Sequence, residues 1–178
     1  MIPRIVLKQV FKPCTGRQFT TRIKNATVAT PTPTGAVNVY NGNVFFNNGK
    51  IQGEGNVKDI DTVIDAEHRL VTPGLIDPHT HLAPPIGRSK EFSMRPTHSY
   101  QQIASEGGGI LSSVRATQAA TEKELLNANQ QIIEQHFLHG TTTLEIKSGY
   151  GLETSHELKQ LRVMRELRKH FENKVDII

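Results

Sequence analysis

The stretch Val71-Thr72-Pro73-Gly74-Leu75-Ile76-Asp77-Pro78-His79-Thr80-His81-Leu82 decides how the chain is read. Apolar residues and a Pro-Gly break lead into two histidines one residue apart. Side chains on a strand alternate between faces, so residues two apart point the same way. The imidazoles at 79 and 81 would therefore converge on one point, about 2.0–2.1 Å from a zinc-sized cation. The apolar approach predicts a buried strand whose end carries the ligands. A His-x-His pair alone is common by chance; the strand-like approach, the turn and the neighbouring Asp77 give it weight. A catalytic zinc typically takes three protein ligands and keeps an open position, so two histidines are too few. His98, in a predicted loop, is a candidate third ligand. His136, His139, His156 and His170 fall on predicted helices and read as surface histidines.

The bulk composition narrows the class. With 178 residues the chain is long enough for one domain with a core. The single cysteine, Cys14, excludes a disulfide framework and fits a reducing compartment; it reads as an incidental thiol. The net charge of +4 is unevenly placed, because no Asp or Glu precedes Glu54 while seven Lys or Arg do. Such a basic, Thr-rich start suits a transit peptide or a poorly ordered extension. The charges are scattered and no aromatic platform is interleaved, which argues against nucleic-acid binding. No apolar stretch approaches the roughly 18 residues of a membrane span. A cytoplasmic protein that does not engage membrane is the expectation.

Further along, the pattern changes from short strands to helices. Ala36 to Tyr40 and Val44 to Phe46 read as strands punctuated by Asn41-Gly42 and Asn48-Gly49, both hairpin signals. Thr30-Pro31-Thr32-Pro33-Thr34-Gly35 reads as a linker or turn, and Lys50 to Gln52 and Thr62 to Asp65 as further strands. Residues 83–98 look loop-like, with a short helix around Tyr100 to Glu106. Gly107-Gly108-Gly109 reads as a sharply turning loop, since no phosphate-binding Lys-Ser/Thr follows. Thr121-Glu122-Lys123-Glu124 is a capping box opening a helix to about His139, which Gly140 stops. Thr141 to Ile146 reads as a strand. Thr154 to Glu157 reads as a second capping box, opening a helix to about Phe171, and Val175 to Ile178 as the start of another strand. This is the grammar of parallel βαβ units, whose strand C-terminal ends carry the active site in (β/α)₈ barrels.

Two more side chains stand near such ends. Arg88 follows the Pro/Gly loop after the histidines, where a guanidinium suits a two-pronged hold on a carboxylate. Read from the residues alone, a surface arginine is the preferred alternative. Tyr150, between glycines, is either a pocket-lining tyrosine or a loop tyrosine with a buried ring. Lys147 reads as a salt-bridge partner of Glu145 or of a neighbouring strand rather than as a carbamylated metal bridge.

The His79–His81 stretch resembles the first barrel strand of the amidohydrolase superfamily. Gly107-Gly108-Gly109-Ile110-Leu111-Ser112-Ser113-Val114-Arg115-Ala116-Thr117, His139-Gly140-Thr141-Thr142-Thr143 and Glu145-Ile146-Lys147-Ser148-Gly149-Tyr150-Gly151-Leu152-Glu153 narrow the resemblance to the imidazolonepropionases. It covers residues 65–178 well and 22–64 loosely. It implies an α/β fold: an incomplete metal-dependent (β/α)₈ TIM barrel of two to three βα units over 70–178, preceded by part of a small β-sandwich domain over 22–69. Residues 1–21 form a basic extension with no counterpart. The implied reaction opens the cyclic amide of 4-imidazolone-5-propanoate to N-formimidoyl-L-glutamate in histidine degradation. His79 and His81 match two ligands of one metal ion, zinc or iron; Arg88 matches the arginine that binds the substrate propanoate; Tyr150 matches a substrate-binding tyrosine. Lys147 matches no ligand. The remaining histidine and aspartate ligands and the acid/base residue have no match in this chain, so no catalytic residue is assigned within it, and negligible activity is expected of it alone. The partners implied are a small-molecule substrate with a carboxylate tail and a second copy in a homodimer. The Ala83-Pro84-Pro85-Ile86-Gly87 loop departs from the family's glycine-rich one, which bears on Arg88. The rival readings are another cyclic-amide hydrolase or deaminase of the superfamily, and a non-catalytic fragment or half of a split enzyme.

Overall fold

The computed structural model describes residues 20–47, 50–52, 59–81, 88–172 and 174–178. Cys14, most of the basic extension, the Asn48-Gly49 turn and the Pro84-Pro85 loop lie outside the described residues. The fold is mixed α/β, and the described residues divide between two compact units that part after Gly74.

The first unit is a five-stranded sheet built on one long strand, β1 (Thr20–Pro31). β1 pairs antiparallel with β2 (Val37–Asn47), which pairs in turn with β3 (Lys50–Gln52). On its other side β1 runs parallel to β4 (Thr62–Asp65) and, further along, to β5 (Leu70–Val71). Ile23, Ala26, Val28, Val44 and Ala66 are buried together, with Phe46, Ile64 and Val71 packed against them. The Asn41-Gly42 hairpin does not form. Ala36–Tyr40 and Val44–Phe46 are not separate strands, because β2 runs straight through Asn41 and Gly42, which pair with Thr27 and Ala26. A bulge between Ile23 and Ala26, with Asn25 at φ 54°, absorbs the irregularity on the facing strand. The Tyr40 ring lies against Gly42, covering the strand position that lacks a side chain. The real turn is the Pro/Thr stretch, where Thr32 N–H donates to Ala36 O at 2.8 Å and Gly35 takes φ 83°.

In the second unit β6 (Leu75–His81), β7 (Thr141–Lys147) and β8 (Asp176–Ile177) form a parallel sheet in that order. Helices α4 (Glu122–Leu138) and α5 (Thr154–Phe171) make the crossovers and the core. The α4 stripe Leu125, Asn129, Ile133 and Phe137 recurs every four residues and is buried. It meets Val163, Met164, Leu167 and Phe171 of α5, Leu144 and Ile146 of β7, and Val175 and Ile177. The Thr121–Glu124 capping box closes as read, and Gly140 ends the helix at φ 96°. Ile132 lies off this stripe and is exposed, while Asn129 belongs to it, its Nδ2 donating to Leu125 O at 2.7 Å.

Two helices lie where no helix was read. α1 (Ser89–Met94) falls inside the stretch read as loop, and α3 (Ile110–Ala119) follows the glycines. α2 (Tyr100–Ser105) matches its expectation and carries a Ser99–Gln102 capping box. Lys159 of α5 donates to the carbonyls of Thr117, Gln118 and Ala120 at 2.6–2.9 Å, capping the C-terminal end of α3. The expectation of a buried ligand strand is also corrected. β6 is an edge strand, with Leu75 53% and Ile76 66% exposed, because nothing among the described residues pairs with its outer side.

Candidate functional site

Pro78 shapes the end of β6. It has no N–H to give the ladder, and the register slips between Asp77 and Thr80. Past the slip the strand re-pairs, Thr80 with Ile146 and His81 with Lys147, and Thr80 Oγ1 donates to Glu145 O at 2.7 Å. These contacts fix the strand between the two histidines. Their rings stand side by side, centroids 5.3 Å apart and planes at 74°, and both residues are exposed. The His79 N–H donates to Asp77 Oδ1 at 3.3 Å.

Two imidazoles at one strand end suit zinc or iron. A catalytic zinc typically takes a third protein ligand beside such a pair. Among the described residues no group of three His, Cys, Asp or Glu gathers. His98 is instead engaged through Nδ1 with Thr97 Oγ1 at 2.8 Å, His139 through Nδ1 with Gln135 O at 2.7 Å, and His170 against the Phe171 ring. His156 lies 3.8 Å from Glu153, and His136 sits in the last turn of α4.

The loop after β7 comes to this pair. Tyr150 is half-buried and its ring centroid lies 5.3 Å from that of His81, with planes at 54°. Gly149 lies so close that a Cβ there would sit 3.1 Å from His81 Cε1 and 3.2 Å from Nδ1. The loop is held from beneath by Glu157, whose Oε1 accepts the N–H groups of Gly151 at 2.7 Å and Leu152 at 2.8 Å. The Thr154–Glu157 capping box is therefore absent: α5 has Glu153 at its N-cap with no side-chain cap bond, and the Glu157 carboxylate is turned to the loop. Lys147 pairs with Glu145 at 2.7 Å, as its salt-bridge reading expected.

Arg88 stands at the N-cap of α1. Its Nε donates to Glu91 Oε2 at 2.8 Å, and Nη2 lies 2.6 Å from the same oxygen. Glu91 also accepts Gly109 N–H at 3.1 Å and Ser112 Oγ at 2.8 Å, so the arginine is tied to the start of α3. The Glu91 bond raises the Arg88 pKa against the opposing effect of burial, and the Tyr100 and Tyr150 phenols add to it. Arg88 in turn lowers that of Glu91, with help from Ser112. The second unit thus brings His79, His81 and Tyr150 into one cluster and places Arg88 within electrostatic reach of Tyr150. Glu91, Gly149 and Glu157 were not singled out from the sequence. Arg88–Glu91 is an i,i+3 pair, visible only once α1 is known to be a helix.

No family model matches the chain. Curated relatives do. An imidazolonepropionase of Brevibacillus brevis is 44% identical over 142 residues, 74% of this chain and 34% of its own length. One from Idiomarina loihiensis is 44% identical over 154 residues, 82% of this chain and 38% of its own. One from Klebsiella pneumoniae is 54% identical over 108 residues, 60% of this chain and 27% of its own. The chain spans about a third of the length of these relatives. Over the residues shared with them, the chain is similar to the imidazolonepropionases.

Proposed function

We propose that the chain forms part of an enzyme that hydrolyses the cyclic amide of 4-imidazolone-5-propanoate to N-formimidoyl-L-glutamate. The observation that carries the reading is the meeting of His79, His81 and Tyr150 at one strand end in a chain 44–54% identical to imidazolonepropionases. The parallel β6–β7–β8 sheet with its crossover helices suits the opening units of a (β/α)₈ barrel, which needs about 250 residues against the roughly 110 from Leu70 onward.

His79 and His81 would hold one zinc or iron ion. Such an ion lowers the pKa of water toward neutrality and polarises the carbonyl it faces. Arg88 takes the propanoate of the substrate. Glu91 occupies its Nε–Nη2 edge, which leaves Nη1 for the carboxylate. Tyr150 lies against the ring, so the reacting carbonyl is turned toward the histidines and little orientational freedom remains to be lost. Water adds to the carbonyl carbon, the ring C–N bond breaks, one proton of the water passes to the nitrogen, and the other leaves as the new acid ionises to a carboxylate. The remaining ligands and the acid/base group come from residues this chain does not contain. A cytoplasmic location and a homodimer belong to the same reading; among the described residues no helix is long and apolar enough to cross a membrane.

A chimera tests this, with residues 70–178 replacing the matching segment of a full-length relative. Turnover of 4-imidazolone-5-propanoate, with little turnover of other cyclic amides or of deaminase substrates, is the expected result. A preference for either of those classes would put the chain elsewhere in the superfamily. The 178-residue chain alone is expected to show no turnover.

A further inference from the structure

Glu157 stands in the first turn of α5, where a carboxylate ordinarily serves its own helix. Here it serves the preceding loop. Oε1 accepts the Gly151 and Leu152 N–H groups, and Gln160 Nε2 donates to Oε2 at 3.3 Å. Partial burial pushes the carboxyl pKa up, but hydrogen bonds from Ser148, Leu152, Gly151 and Gly149 outweigh it and the net displacement is downward. The segment 148–152 is therefore wrapped around one charge.

The backbone is shaped to allow this. Leu152 takes a left-handed φ of 59°, which costs a non-glycine residue energy. A Cβ on Gly151 would lie 2.7 Å from Glu157 N and 2.8 Å from His156 C, so no side chain fits between the loop and α5. Gln118 Nε2 adds a bond to Gly151 O at 2.7 Å from α3. At the upper face of the same five residues, Tyr150 and Gly149 lie on the His81 ring. One carboxylate thus holds the backbone of the loop that touches His81. We infer that Glu157 is a positioning residue of the site: it clamps the Ser148–Leu152 loop so that the Tyr150 ring rests against His81, and it contacts neither substrate nor metal. This builds on the proposed function, since it assumes that His81 and Tyr150 act there.

The test uses the 178-residue chain and nuclear magnetic resonance. In the parent chain a nuclear Overhauser contact joins the Tyr150 and His81 ring protons. The Gly151 and Leu152 amides exchange at least ~10-fold more slowly than in an unstructured peptide. Glu157→Ala removes the ring contact and the protection while the buried amides of α4 and β7 keep theirs. Glu157→Gln keeps an acceptor oxygen and restores the ring contact. Survival of the Tyr150–His81 contact in folded Glu157→Ala would overturn the inference. If that variant does not fold, the parent decides, because unprotected Gly151 and Leu152 amides there overturn it equally. These readouts report geometry and not turnover. Their failure leaves the catalytic reading intact, and a wrong substrate would leave the clamp intact.

Discussion

Glu91 accepts both Nε and Nη2 of Arg88 on a single oxygen, at 2.8 and 2.6 Å, while Ser112 Oγ occupies its other oxygen at 2.8 Å. The arginine proposed for the substrate carboxylate is therefore held before substrate arrives. In the chimera, Glu91→Gln should raise KM about tenfold with a smaller change in kcat, the pattern for an interaction shared by ground and transition states. Steady-state kinetics checks this. A fall in KM would mean that Glu91 competes with the substrate instead of orienting its partner.

Gly149 offers a second handle on the same site. Alanine there would press a methyl group against His81 at 3.1–3.2 Å, tighter than ordinary contact. Gly149→Ala should displace the His81 ring and lower the zinc content of the purified chimera. A metal analysis with parent-level occupancy would show that the loop yields and the ring does not.

Asp65 makes the first unit sensitive to acid. The Glu67 N–H, Lys24 and Asn25 together hold its carboxyl down from 3.8 to about 2. A folded pKa below the unfolded one means that the stabilisation is fully present above about 3.8 and is lost as the pH falls through about 2. Denaturation midpoints of the parent and Asp65→Asn should differ near neutrality and converge toward about pH 2. A constant difference across that range would remove Asp65 as the cause.

Ile133 is wholly buried between α4, α5 and β7, as is Leu167. Either one replaced by alanine should cost about 2–5 kcal/mol, from lost burial and the cavity left behind. Urea titration followed by circular dichroism measures it. A cost under about 1 kcal/mol would mean that the core collapses around the gap.

The second unit was legible where local rules and tertiary packing agree. The Thr121–Glu124 box and the Gly140 stop both point to one helix, and it forms with a buried stripe. Asn41-Gly42 carries a hairpin signal as strong as any in the chain, yet pairing with the long β1 overrides it. The second capping box has the right spacing, but Glu157 finds better donors in the loop backbone than in its own helix. Such a choice depends on where the loop runs, and spacing does not encode that. The burial of β6 was misread for the same kind of reason. Its apolar residues suit a strand covered on both sides, and the described residues cover one edge only. His79 and His81 could be found because strand alternation is local. Glu91 could not, because its partners Gly109 and Ser112 lie on α3 and at its N-terminal end, 18 and 21 residues further on.

The most direct test of the central claim is turnover of 4-imidazolone-5-propanoate by the chimera carrying His79→Ala or His81→Ala, measured beside its metal content. The account predicts that each change lowers bound metal and cuts kcat/KM by at least ~10²-fold, as expected when a ligand of the reacting centre is lost. Full metal occupancy and undiminished turnover in both variants would contradict it.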